Sequence, residues 1–157
     1  MQGNPEFMRQ AIELATGNVT SGRGGPFGAV VVRGDEVVAT GVNQVTVTKD
    51  PTAHAEVTAI REACLALGDF ALPGCVMYTS CEPCPMCLAA IYWARMDGIF
   101  YSGTAVDAAA AGFDDAFLYQ ELKKQVGERS IPAARLLEER GRESFEEWRR
   151  LMTRVEY

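Results

Sequence analysis

The chain contains a single histidine, His54, in the run His54-Ala55-Glu56, and the Cys84 of Pro83-Cys84-Pro85-Met86-Cys87 follows it by 30 positions. One imidazole and a Cys-x-x-Cys pair that far apart can share a metal ion only in a fold that brings the two segments together. No other feature restricts the architecture as tightly. The donors suit zinc, which binds sulfur and imidazole nitrogen tetrahedrally; three protein ligands leave one position open to solvent, and four close the site into a structural one.

Pro85 fits the first turn of a helix, where its missing N–H is no loss. Cys84 and Cys87 then lie at a helix start, where backbone N–H groups and the helix dipole favour thiolate over thiol. Two thiolates, a neutral imidazole and one zinc ion sum to zero formal charge, so the metal retains the power to make bound water nucleophilic near neutral pH. Cys81 forms an overlapping Cys-x-x-Cys pair with Cys84. A closed Cys3His site, and with it a non-catalytic zinc-binding module, is therefore the competing arrangement. The open site is preferred because Glu56 follows His54 by two positions, the spacing of a proton carrier beside a metal ligand. Cys81 is then expected to end a strand and pack beside the site. Residues i and i+2 of a helix point about 200° apart, so His54 and Glu56 can serve one site only at the helix N-terminus. His54 is thus expected to open its helix, with Pro51 just upstream.

Hydrophobic periodicity predicts helices over 5–19, 54–67, 85–94 and 114–126, with Phe7, Met8, Ile12, Leu14 and Ala15 on the apolar face of the first and Val57, Ile60, Cys64 and Leu67 on that of the second. Apolar runs at 27–32, 36–41, 75–79 and 98–101 read as strands, the first two joined by a Gly34-Asp35 turn. The polar stretch 43–53 reads as a loop, and 105–112 as a short helical turn. Residues 131–138 fit either an edge strand or a helical piece. Ser144 is placed to cap a last helix carrying Phe145, Trp148, Leu151, Met152 and Val155. Alternating strands and helices predict a three-layer α/β/α domain.

The 157 residues suffice for one domain, 1–157, and 48% hydrophobic content excludes disorder. A net charge of -6 weighs against a nucleic-acid partner and for a small neutral substrate. Five cysteines, three of them within 81–87, indicate metal binding in a reducing compartment, with the cytoplasm as the expected location. Neither a secretory leader nor a membrane span is expected.

The runs Asp50-Pro51-Thr52-Ala53-His54-Ala55-Glu56-Val57 and Thr79-Ser80-Cys81-Glu82-Pro83-Cys84-Pro85-Met86-Cys87 resemble the cytidine deaminase-like superfamily. Gly24-Gly25-Pro26-Phe27-Gly28-Ala29-Val30, Ala111-Gly112-Phe113-Asp114-Asp115 and the terminal Glu156-Tyr157 narrow the resemblance to small bacterial guanine deaminases. The resemblance spans nearly the whole chain. It implies a five-stranded mixed sheet between helices, a homodimer, one zinc per subunit and hydrolytic deamination of guanine to xanthine and ammonia. It further implies that His54, Cys84 and Cys87 bind zinc and that Glu56 shuttles protons. Phe27 would stack on the purine and Asn43 would bond its edge. Asp114 or Asp115, with Asp115 favoured, would accept hydrogen bonds from guanine N–H groups, and Tyr157 would close the pocket. A tail that reaches a pocket can also reach a neighbour's, so the C-terminal segment is a candidate for exchange between subunits.

The physics of the base agrees with these residue types. Guanine offers donors at N1 and N2 that a carboxylate satisfies; adenine does not, and would leave a buried carboxylate unpaired. A tRNA adenosine deaminase or another nucleobase deaminase of the superfamily would share the zinc residues. An RNA substrate would call for a basic surface, which the net charge and the Gly-Phe-Asp-Asp and Tyr features oppose.

Overall fold

The computed structural model describes residues 2–157. Its first helix, α1 (Pro5–Thr20), starts where Asn4 caps it by accepting from the Glu6 N–H and Pro5 fills the first turn. A hairpin follows, β1 (Gly28–Arg33) and β2 (Glu36–Val42), turned through Gly34 at φ 61°; a primed two-residue turn needs such a φ at its first position. Next come α2 (Val45–Thr48), α3 (Ala55–Leu67), β3 (Cys75–Cys81), α4 (Pro85–Trp93) and β4 (Gly98–Gly103). The chain then forms α5 (Ala105–Ala110), α6 (Ala116–Lys123), a 3-10 turn at Val126–Glu128 and α7 (Glu143–Arg150).

The sheet is mixed, in the order β2-β1-β3-β4. β1 runs antiparallel to both β2 and β3, whereas β3 and β4 are parallel. Parallel neighbours require a crossover, and α4 supplies it. Side chains of β1 alternate between two cores. Ala29 and Val31 pack with Ala55, Ala59 and Ala63 of α3 and Ile91 of α4, while Val30 and Val32 pack with Ala11 of α1 and with Tyr78. Helices therefore cover both faces, giving the expected three layers.

Two glycines set how closely those layers meet. A Cβ on Gly41 would stand 2.2 Å from the Ala55 carbonyl oxygen and 2.5 Å from the Ala59 nitrogen; one on Gly28 would stand 2.4 Å from the Ala11 carbonyl oxygen. Both α3 and α1 thus press their backbones onto the sheet along alanine ridges. This alters the expected helix faces. The buried ridge of α3 is Ala55, Ala59 and Ala63, with Ile60, Cys64 and Leu67 flanking it. On α1, Ala11, Ala15 and Asn18 are buried while Ile12 stays exposed.

Among the described residues the sheet has four strands, and the expected fifth is a correction. Residues 131–138 form neither strand nor helix, and all of them are exposed. Pro132 removes a ladder donor, and Leu137 takes a φ of 51°, which breaks extended backbone. Three smaller differences follow. One helical turn, α2, stands inside the expected 43–53 loop. The helix expected over 114–126 is shorter and ends at Lys123. Ser144 lies within α7 rather than capping it: Arg142 precedes the helix, and Leu151, Met152 and Val155 lie beyond its end.

The chain divides into two units, Met1–Ala116 and Phe117–Tyr157. The first carries the sheet. In the second no residue is buried. Its internal ties are polar: Glu121 accepts from the Ser130 N–H (2.7 Å) and hydroxyl (2.9 Å) and pairs with Lys124, and Arg140 pairs with Glu143 at 2.8 Å. No helix among the described residues is long and apolar enough to cross a membrane.

Candidate active site

The two motif segments meet at helix N-termini. His54 is the N-cap of α3, at φ -69° and ψ 159°, as the spacing of His54 and Glu56 requires. Its approach is fixed by the preceding loop, where Asp50 accepts from the Thr52 N–H at 2.8 Å and the Thr52 hydroxyl at 2.6 Å. Those two bonds hold the Asp50 carboxyl below its usual range. Cys84 is the N-cap of α4, with Pro85 at the first helical position. Cys87, a turn later, is buried.

His54 Nδ1 lies 3.6 Å from Cys84 Sγ and 3.5 Å from Cys87 Sγ. The three donor atoms all fall within 4.8 Å of one another. A tetrahedral zinc with ordinary Zn–S and Zn–N bonds sets a nitrogen–sulfur edge of about 3.6 Å, so this donor set fits the ion. The electrostatics agree. A hydrogen bond from Cys87, reinforced by His54, draws the Cys84 thiol down to about 4 against the opposing effect of burial. The bond to Cys84, with burial and the nearby Glu56 charge, pushes Cys87 up. Hydrogen bonding to Cys84 raises His54 despite its burial.

Cys81 stands apart from this group. It ends β3, and its Sγ donates to the Thr104 carbonyl oxygen at 3.5 Å. Among the described residues, the cluster of possible metal ligands holds His54, Cys84 and Cys87 without it. The closed Cys3His arrangement has no support in this geometry.

Glu56 is only 5% exposed. Its Oε1 accepts from the Thr79 hydroxyl at 3.0 Å, and its side chain also lies in hydrogen-bonding reach of Cys87. Burial raises its pKa, against the bonds from its own backbone N–H and from Thr79. Burial of that kind favours the protonated form of the carboxyl, as suits a group that exchanges protons.

Phe27 and Asn43 pack together. The Asn43 N–H donates to the Phe27 carbonyl oxygen at 3.1 Å, and Gly25 lies against both side chains, so that a Cβ on it would be 3.5 Å from each. Asn18, buried on α1, donates from Nδ2 to the carbonyl oxygens of Gly25 (2.9 Å) and Asn43 (2.8 Å). The Phe27 ring meets Phe113 edge-on, at 5.0 Å and 87°. Phe113 leads into the aspartate pair, whose members differ. Asp114 is exposed and accepts from the Ala116 N–H at 2.8 Å, as a turn residue does. Asp115 is partly buried and titrates higher than usual, first through desolvation and then through the negative charge of Cys84. The structure thus brings His54, Cys84, Cys87 and Glu56 together and sets Asp115 within reach of the Cys84 charge, while Phe27 and Asn43 pack on each other and Phe27 on Phe113. Tyr157 belongs to the second unit, where it is exposed. Thr79, Phe113 and Asn18 were not anticipated. An Asn in a helix and a Thr in a strand read as ordinary alternation, although the Gly-Phe-Asp-Asp run did draw notice to the segment holding Phe113.

Two helix starts that bring thiols, an imidazole and a buried carboxyl to one point beside a parallel β-α-β unit define a class, the zinc-dependent deaminases acting on amino-substituted ring systems. The chain belongs to the family described as the cytidine and deoxycytidylate deaminase zinc-binding region, whose pattern matches residues 1–103. It is 51% identical to the guanine deaminase of Bacillus subtilis over 151 residues, 96% of this chain and 97% of that one. The X-ray structure of guanine deaminase from Bacillus subtilis matches with a TM-score of 0.96 at 49% identity, covering 99% of each chain. A tRNA-specific adenosine deaminase of Aquifex aeolicus is 36% identical over 115 residues, 73% of this chain and 74% of that one.

Proposed function

We propose that the protein hydrolyses guanine to xanthine and ammonia, with one zinc per subunit held by His54, Cys84 and Cys87. Zinc in that position supplies the Lewis acidity that makes water nucleophilic near neutral pH. Glu56 takes a proton from the attacking water as its oxygen bonds to the amine-bearing ring carbon. It passes that proton to the ring nitrogen, then carries the proton of the added hydroxyl to the exocyclic amine, whose C–N bond breaks to release ammonia as the carbonyl forms. Phe27 offers an aromatic face to the flat base, edge-supported by Phe113, and Asn43 bonds the base edge, since its amide both donates and accepts. Asp115 accepts from guanine N–H groups; Asp114 is left to the turn. Tyr157 closes the pocket.

The observation that carries this reading is the meeting of the His54, Cys84 and Cys87 donor atoms two residues from the buried Glu56 carboxyl. The donors suit the metal and the carboxyl serves the proton transfers, while a base rich in N–H donors suits the Asp115 carboxylate. The likeness to guanine deaminases over nearly the full length supports the same choice.

The working form is a homodimer in which 1–157 acts as one domain and the segment 117–157 is exchanged between subunits. In its support, this segment leaves Phe117, Leu122, Ile131, Leu136, Phe145 and Met152 exposed, with 92% exposure at Met152. So much bare apolar surface calls for cover. The cytoplasm is the proposed location, a reducing compartment suited to five free thiols.

Ammonia release from a panel of guanine, adenine, cytosine, guanosine and adenosine tests the function. Guanine is expected to lead the panel. Release from adenosine alone, or from no base, would overturn the reading.

A further inference from the structure

We infer that Thr79 is a positioning residue for the proton carrier, with its hydroxyl fixing which way the Glu56 carboxyl faces. This rests on the reading of Glu56 given above. Thr79 sits on an inner strand, paired on one side with Ala29 and on the other with Tyr101. Along β3 the positions that share its face are Cys75, Met77 and Cys81, all buried, and Cys75 and Met77 belong to the core formed with α3 and α4. Thr79 is itself 1% exposed. Packing at such a position would be met equally by valine, which has the same shape. A hydroxyl buried there is costly unless it is bonded, and its one side-chain partner among the described residues is Glu56 Oε1 at 3.0 Å.

The geometry makes this bond directional. The backbone of β3 is locked by ladders on both edges, and a β-branched side chain has few χ1 choices. The hydroxyl therefore points where the strand sends it. By occupying Oε1, it restrains rotation of the carboxyl. α3 contributes Glu56 from its first turn, and the sheet contributes the brake. Neither element alone sets the orientation.

Two near-isosteric changes separate the roles of shape and hydroxyl. Thr79→Val keeps the shape and removes the donor; Thr79→Ser keeps the donor and removes a methyl. The Val variant is expected to hold one zinc, melt close to the wild type and keep KM within about twofold. Its kcat should fall roughly 10–100-fold, the scale of one hydrogen bond to a charged group. The Ser variant should recover most of that loss. In a Glu56→Gln background, Thr79→Val should cost almost nothing more, because the two act as a unit.

An infrared difference between wild type and Glu56→Gln isolates the Glu56 carboxyl band without any turnover. That band should move in Thr79→Val and stay in Thr79→Ser. Wild-type rates in Thr79→Val, equal losses in Val and Ser, or an unmoved band would overturn the assignment. Loss of zinc in Thr79→Val would also overturn it, since the hydroxyl would then be supporting the metal donors. Because the band is read without substrate, its result stands whether or not guanine is the base.

Discussion

The most informative contrast at the scale of single residues is between Cys81 and Cys84, neighbours in sequence with opposite surroundings. Cys84 caps a helix and faces His54; Cys81 ends a strand and faces the Thr104 carbonyl. Cys84→Ser is expected to lose zinc and activity, while Cys81→Ser keeps one zinc per chain and most turnover. Metal analysis of the purified variants checks both. Glu56→Gln should keep the zinc yet lower kcat by roughly 10²–10⁴-fold, the usual contribution of a placed acid–base group. A variant turning over within a fewfold of wild type would remove Glu56 from the mechanism. Asp115→Asn should cut guanine turnover by roughly 10–100-fold through loss of an acceptor for the base, whereas Asp114→Asn should leave kcat/KM nearly unchanged. Competition between guanine and adenine in a single assay reads the selectivity directly.

Secondary-structure elements explain how much of this the chain's pattern reveals. The donor set is legible because metal chemistry dictates both residue type and spacing. The placement of His54 at a helix start is legible because residues two apart on a helix cannot otherwise face one ion. The packing of α3 is not legible from periodicity, which marks Ile60 and Leu67, while the contact runs along Ala55, Ala59 and Ala63 against Gly41. Small residues carry little hydrophobic weight, yet they are what permit close approach. Gly41→Ala forces a Cβ onto the α3 backbone and should cost about 3 kcal/mol, at the upper end for overpacking, measured as a loss in chemical denaturation. Thr79 is not legible in the pattern because its hydroxyl bonds a residue from another element. The 131–138 stretch misleads because Leu and Ile content suggests burial, whereas Pro132 and the left-handed Leu137 deny it a ladder.

A further element-scale expectation concerns Glu121. Lys124 first, then the Ser130 N–H and hydroxyl, hold its pKa at about 2 rather than 4.5. A depressed acid stabilises the folded form above its ordinary value, and that contribution fades as pH falls from 4.5 toward 2. The group is on the surface, so the effect is modest. The protection factor of the Ser130 N–H, its exchange rate referenced to the intrinsic rate at each pH, should fall over that interval in the wild type and change much less in Glu121→Gln.

For the molecule as a whole, the telling feature is the set of exposed apolar residues in 117–157. The exposed apolar residues offer much to another apolar surface. A chain ending at residue 150 removes Leu151, Met152, Val155 and Tyr157. It is expected to keep its zinc while losing guanine turnover, and light scattering on both chains tests the proposed dimer. Full activity in that truncation would remove the pocket role of Tyr157, and a monomeric full-length protein would remove the exchanged segment.

Zinc-edge X-ray absorption on the purified holoprotein tests the central claim most directly, namely that two thiolates and one imidazole leave a coordination position for solvent. The account predicts two sulfur neighbours at about 2.3 Å and two light-atom neighbours near 2.0 Å. Three sulfur neighbours, with Cys81 joining Cys84 and Cys87, would contradict it.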